Sequence, residues 1–160
     1  MKILVIALSG IGDALMFTPA ALLLRSKFPE ATIDALVMFK GARQIYERTG
    51  LFNNIIYHDF LHHSKFGSLK LTRFMRGKYD HSLCIYPSNR KEYNLIQLLI
   101  GAEIRGAVEY LRRDTRELGF LNNRRIIEDD SKHCVEENVA LCENMFDFKA
   151  DTIPGLLFPL

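Results

Sequence analysis

Residues 1–19, MKILVIALSGIGDALMFTP, decide the fold. After Lys2 the run to Leu8 is apolar without alternation, the pattern of a strand buried on both faces, and such strands sit inside parallel sheets. Ser9-Gly10-Ile11-Gly12-Asp13 then turns the chain, and apolar residues at helical spacing follow. Glycines directly after a strand let the backbone bend tightly and come close to a ligand, because without a Cβ they can adopt positive φ and cause no steric block. Asp13 falls in the first helical turn, where the helix dipole favours a carboxylate. The segment therefore predicts an ionised side chain at the carboxyl end of a central strand, the side on which open α/β sheets bind ligands.

Working outward, the same unit recurs. Leu15, Met16, Ala20 and Leu22 to Leu24 fit a helix up to Phe28, with Thr18-Pro19 as an N-cap and N1 pair that predicts either a short first turn and a helix proper or one kinked helix. TIDALVM (32–38) is a second strand, followed by a helix from Gly41 to about Arg48 closing at Gly50. NIIYH (54–58) is a third strand, and a basic helix is expected over 69–76. DHSLCIY (80–86) is a fourth strand, with a Pro87 to Lys91 turn opening a helix that Gly101 caps. Residues 103–107 form a fifth strand, residues 108–131 a charged loop, and residues 132–147 an amphipathic helix. A β-loop-α unit repeated in this way predicts an α/β domain with a doubly wound parallel sheet, Rossmann-like. The boundaries expected are one domain over 1–150 and a linker or terminal strand over 151–160.

Composition narrows the function classes. Of 160 residues, 48% are apolar and 25% charged, as in a globular domain that needs no disulfide or metal to hold it together. A net charge of +2, dispersed in mixed clusters, does not imply a nucleic-acid partner. Cys84, Cys134 and Cys142 form no CxxC pair and read as free thiols of a reducing compartment. Gly10, Gly12 and Asp13 interrupt the first apolar run too early for a secretory leader, and no apolar run reaches bilayer length. A cytoplasmic location follows, compatible with the inner membrane surface.

The stretch LSGIGDALMFTPAALLLRSKFPEATIDALV resembles the amino-terminal half of the family 9 glycosyltransferases, the heptosyltransferases that build the lipopolysaccharide inner core. The residues that carry the resemblance are Gly12-Asp13, Thr18-Pro19 and Phe28-Pro29-Glu30-Ala31. It continues more weakly through the Pro87 to Lys91 turn, Gly101-Ala102, Asn123-Arg124-Arg125 and Lys132-His133-x-x-Glu136-x-Asn138. It implies one half of a GT-B architecture, in which the first Rossmann-like domain holds a sugar-lipid acceptor and the second binds a nucleotide-sugar donor such as ADP-heptose. The chain ends at Leu160, about where the interdomain linker of the family falls, so the donor-binding domain is expected to be missing and the chain inactive without one. The implied partners are a sugar-lipid acceptor and a donor-binding domain or chain, with peripheral membrane association compatible and no cofactor of the domain's own.

The candidate site residues follow. Asp13 is the expected catalytic base for an acceptor hydroxyl, against the alternative that it only caps a helix. Ser9, Gly10 and Gly12 form the turn; GIGDAL lacks the third glycine of a dinucleotide fingerprint, which leaves a nicotinamide or flavin role weakly supported. Ser88, Asn89, Arg90 and Lys91 follow the fourth strand, where the cations could hold an anionic acceptor or could simply be solvated. Thr18 and His133 enter through the resemblance, with helix capping an equal reading for His133. The same resemblance brings the loop before Lys65, and with it Lys65 and Arg73, near the acceptor. His58, His62 and His63 lack a completing ligand set, so no metal is expected. The competing class is a non-catalytic Rossmann-like binding or interaction module that docks through the apolar tail IPGLLFPL.

Overall fold

The computed structural model describes residues 1–87 and 90–158. Six strands, β1 (Lys2–Ala7), β2 (Thr32–Val37), β3 (Asn54–Tyr57), β4 (His81–Cys84), β5 (Ile104–Glu109) and β6 (Arg124–Ile127), form one parallel sheet in the order β3-β2-β1-β4-β5-β6. The apolar run of residues 2–8 is explained by that order. β1 lies between β2 and β4 and sends Ile3, Val5 and Ala7 to one face and Leu4, Ile6 and Leu8 to the other, with all six buried.

Helices cover both faces. The first layer holds α1 (Ile11–Met16), α2 (Thr18–Lys27), α3 (Lys40–Thr49) and α7 (Cys134–Phe146), packed through Ala14, Phe17, Leu24, Tyr46, Leu141 and Met145. The second holds α4 (Lys65–Met75) and α5 (Lys91–Ile100), packed through Met75, Ile96 and Ile100. The chain winds outward from β1 to β3, then crosses to the other side of β1 at β4. The switch point of the sheet therefore falls between the carboxyl ends of β1 and β4, the position at which open α/β sheets bind ligands. No helix among the described residues is long and apolar enough to cross a membrane.

The turn after β1 makes no use of the left-handed freedom of glycine. Gly10 has φ −67° and ψ 178°, and neither Gly10 nor Gly12 has positive φ. What both glycines provide is open space, since a Cβ added at either would meet nothing within 4 Å. Residues 11–27 form two helices, and the break falls at Phe17, which is the C-cap of α1 and the N-cap of α2. Thr18 is thus at N1 and Pro19 at N2, where a missing N–H costs nothing.

Two elements of the second half depart from expectation. α4 begins at Lys65, four residues before the expected start, because the Ser64 hydroxyl caps it by accepting from the Gly67 N–H at 3.1 Å. The region expected to be a loop over 108–131 contains the end of β5, the short helix α6 (Asp114–Glu117), a 3₁₀ turn over Gly119–Leu121 and the edge strand β6. β6 is Arg-Arg-Ile-Ile with only Ile126 half-buried, so it offers no alternation to read. Beyond Ala150 the described tail forms no strand; it returns to the core, where the Leu157 N–H donates to the Thr18 hydroxyl at 3.0 Å. Cys84 and Cys142 are buried and Cys134 half-buried, all as free thiols.

Candidate functional site

Two loops leave the sheet at its switch point. The first leaves β1 through Leu8 and Ser9 into α1, which carries Asp13 at its third position. Among the described residues the Asp13 side chain makes no capping bond, and α1 is capped by Gly10 without a side-chain partner. The capping alternative therefore has no bond to support it, and the carboxylate is half-exposed. α1 is seated against α3 at Gly41: a Cβ there would meet the Ile11 side chain at 2.1 Å. Removing that side chain is what lets α1 pack closely and fixes where Asp13 stands.

Two hydroxyls near this turn have no hydrogen-bond partner among the described residues, those of Ser9 and Tyr46. Tyr46 is fully buried in α3, and its phenol is raised far above its ordinary range by burial, with the charge of Asp13 adding to the effect. The carboxylate is thus within electrostatic reach of a buried phenol that stays protonated. Sequence patterning shows Tyr46 only as a core position.

The second loop leaves β4. Asn138 of α7, itself buried, clamps its start: its side-chain oxygen accepts from the Tyr86 N–H at 2.9 Å and its amide donates to the Tyr86 carbonyl at 3.0 Å. Tyr110 donates its hydroxyl to the Pro87 carbonyl. The Tyr86 hydroxyl reaches Glu128 at 3.4 Å, and its pKa is pushed up to about 12 by burial and, secondarily, by the Glu128 charge. Ser88 and Asn89 lie outside the described residues. Arg90 is exposed and caps α5 with its backbone, its carbonyl accepting from the Asn94 N–H at 2.9 Å. Lys91 is exposed; its N–H donates to Glu117 at 3.1 Å, while its ammonium stands 4.0 Å from Glu92.

One side chain joins the two loops. Tyr93, near the start of α5, donates to the Leu8 carbonyl at 3.0 Å. Its phenol is raised mainly by burial; the charge of Arg90 opposes this and that of Asp13 adds to it. Tyr93 therefore lies in the field of both the carboxylate and the cation. No motif points to it, because an aromatic residue two positions into a helix ordinarily reads as core.

Two candidates turn out differently. Thr18 is fully buried; its hydroxyl donates to the Leu15 carbonyl at 2.8 Å and accepts from Leu157, which leaves it no face toward a ligand. Its role is to join α1, α2 and the tail. His133 is exposed and caps α7, its Nδ1 accepting from the Val135 N–H at 3.3 Å while its own N–H donates to Glu136 at 2.7 Å. Capping is the role its contacts support. Among the described residues no cluster of His, Cys, Asp or Glu could hold a metal ion. His58 donates to or accepts from Ser68 at 3.0 Å and stacks on His63, while His62 pairs with Asp59 at 2.8 Å. Arg112 and Arg113, in the stretch expected to be a charged loop, are exposed after β5, on the same edge of the sheet as Asp13.

No protein-family model and no curated protein sequence matches the chain. Solved structures do. The Escherichia coli ADP-heptose LPS heptosyltransferase II superposes over 99% of this chain with a TM-score of 0.75 and 26% identity. The E. coli heptosyltransferase WaaC with ADP superposes over 97% with a TM-score of 0.79 and 16% identity. A family 9 glycosyl transferase from Veillonella parvula superposes over 97% with a TM-score of 0.75 and 20% identity. The chain spans about half the length of each, 46%, 50% and 43% respectively, and the half it matches is the amino-terminal one. In strand order and helix placement the chain has the Rossmann-like fold of, and is similar to, the amino-terminal half of these heptosyltransferases.

Proposed function

We propose that this domain is the acceptor half of an inverting sugar transfer, with Asp13 as the general base. The observation that carries the proposal is the position of Asp13: a half-exposed carboxylate that makes no capping bond among the described residues, at the carboxyl end of the central strand and at the switch point between β1 and β4. Such a group can take the proton from an acceptor hydroxyl as that oxygen forms its bond to the anomeric carbon. The bond from that carbon to the nucleotide's terminal phosphate oxygen breaks, and the electron pair leaves with the nucleoside diphosphate. A leaving group of that charge needs donors or cations facing it, which a donor-binding domain or chain would supply.

The acceptor would be anionic and lipid-linked, of the lipopolysaccharide-core kind, and the sugar heptose-like. Arg90 and Lys91 at the end of β4 and Arg112 and Arg113 at the end of β5 are exposed cations on the edge that carries Asp13, suited to phosphate or carboxylate groups. Ser9, Gly10 and Gly12 leave room at the turn for the acceptor to approach. The domain would work on the cytoplasmic face of a membrane that holds the acceptor. Calorimetric titration of the purified chain with a soluble, deacylated lipid A-Kdo-type acceptor and with ADP-sugar tests this reading. Acceptor binding without donor binding is expected; donor binding without acceptor binding would overturn it.

A further inference from the structure

The outer face of the α4–α5 layer is both basic and apolar. Between Asp59 and Asp80 the chain has five of its 21 Lys and Arg residues, Lys65, Lys70, Arg73, Arg76 and Lys78, and none of its 19 Asp and Glu. In the same segment Phe66 is 78% exposed and Phe74 68% exposed. Leu61 and Leu69 are also exposed, as are Leu95, Leu98 and Leu99 on the adjoining α5. On the helical wheel of α4, Phe66, Leu69, Lys70, Arg73 and Phe74 share the outward face, while Thr72 and Met75 turn to the core. A groove of about 480 Å³ lies between the two helices, lined by Leu69, Thr72, Ile96 and Leu99 together with Lys65 and one acidic side chain, Glu92.

We propose that this face binds the surface of an anionic lipid bilayer. Helices that lie in a membrane interface bury Phe and Leu among the lipid headgroups and acyl boundary and place Lys and Arg against the anionic phosphates. The arrangement here favours lipid over a protein partner. Lys70 and Arg73 lie between Phe66 and Phe74, inside the apolar patch, where a dry protein contact would have to strip their hydration. At a bilayer their long stems can lie along the apolar surface while the charged heads reach phosphate. None of the five cations forms an ion pair among the described residues; Lys78 stands over the Phe74 ring, 3.2 Å from its centroid. α4 and α5 both begin at the carboxyl edge of the sheet, so a bilayer held by this face adjoins the edge that carries Asp13. The inference extends the functional reading above, which expects a lipid-linked acceptor, by naming the surface through which the domain reaches it.

Vesicle co-sedimentation of the purified chain tests it, with phosphatidylcholine vesicles and the same vesicles doped with phosphatidylglycerol. Partition into the anionic vesicles alone, weakening as salt is raised, is expected. The pair Phe66→Ser and Phe74→Ser should lower that partition about tenfold or more, and Lys70→Glu with Arg73→Glu should remove the preference for anionic lipid. All four side chains are exposed, so thermal melts should remain unchanged, and Leu111→Ser, exposed on another surface, should bind like the parent. Failure of the parent to bind anionic vesicles, partition indifferent to these substitutions, or a dimer in sedimentation equilibrium that Phe66→Ser and Phe74→Ser dissolve would each overturn the proposal. A chain that binds deacylated acceptor but ignores vesicles loses the lipid surface and keeps the acceptor role; the reverse result loses the acceptor role alone.

Discussion

The hydroxyl of Tyr93 donates to the backbone carbonyl of Leu8 at 3.0 Å, and this bond ties the start of α5 to the end of β1. The two segments it joins carry Arg90 and Lys91 on one side and Ser9 to Asp13 on the other. Tyr93→Phe keeps the ring and deletes the tie, leaving a carbonyl without that partner. A loss of about 0.5–1.5 kcal/mol in denaturant melts is expected. In a chain completed by a donor-binding half, turnover should fall by more than this loss of stability accounts for, because the spacing of carboxylate and cation is released. Turnover equal to the parent's would show that the tie is only structural.

Asp13→Asn separates base from scaffold. Among the described residues the carboxylate makes no capping bond, so the variant should melt within about 0.5 kcal/mol of the parent, as surface substitutions usually do. In a completed enzyme kcat should fall on the order of 10²–10⁴-fold, the usual contribution of a positioned general base. Acceptor affinity should change far less. Near-normal turnover, measured by release of nucleoside diphosphate, would remove Asp13 from the chemistry.

What could be read from the residues tracks how strongly burial constrains them. β1 is legible because both of its faces are buried and every position from Ile3 to Leu8 must be apolar. Gly50 and Gly101 are legible as helix ends because both occupy the left-handed region that favours glycine. β6 is illegible: it is an edge strand whose Arg125 pairs with Glu109 and Asp114, so its side chains answer to charge partners and not to a core. The start of α4 is hidden for a related reason, since Phe66 turns outward and breaks the expected period. At the site, Gly12-Asp13 is legible as a motif, whereas Tyr93 and Tyr46 depend on contacts between segments far apart in sequence. Thr18 shows the opposite limit: a family-like motif position whose hydroxyl is used up inside the fold.

His81 supplies a pH test. It lies on β4 against the Phe146 ring at 5.0 Å, and its Nδ1 is buried with no partner among the described residues. Burial, the largest cause, holds its pKa below the ordinary value despite the opposing charges of Asp80 and Glu103. His58 is lowered in the same direction by burial and by His63. A lowered histidine pKa means that the unfolded chain takes up the proton first. The associated stability is therefore full above the ordinary histidine pKa of about 6.5 and drains as pH falls toward the folded values. Asp59, Asp129 and Glu143 are pulled below the carboxylate range, so they weaken the fold only at more acid pH. The melting temperature should decline between about pH 7 and pH 5, and His81→Phe should make that slope shallower without abolishing it, because His58 remains. An unchanged slope in thermal melts would exclude His81 as its source.

Gly106 and Met145 should behave as one unit. Gly106 is buried in β5 under α7, and a Cβ built there would lie 2.0 Å from the Met145 sulfur and 2.8 Å from its methyl carbon. Met145 is itself 2% exposed in the core cluster, so it has little room to retreat even though the side chain is flexible. Gly106→Ala should therefore destabilise the domain by roughly 1–3 kcal/mol through overpacking. Met145→Ala, which opens a cavity, should cost roughly 2–5 kcal/mol. Combined, the two changes should cost less than their sum, because the new methyl group enters the space that the thioether vacates. A double-mutant cycle in urea checks this, and strict additivity would mean that α7 moves off the sheet and relieves the clash. Since α7 also carries Asn138, which clamps Tyr86 at the start of the loop after β4, such a movement would in addition weaken acceptor binding by Gly106→Ala, and calorimetric titration of that variant would register the loss.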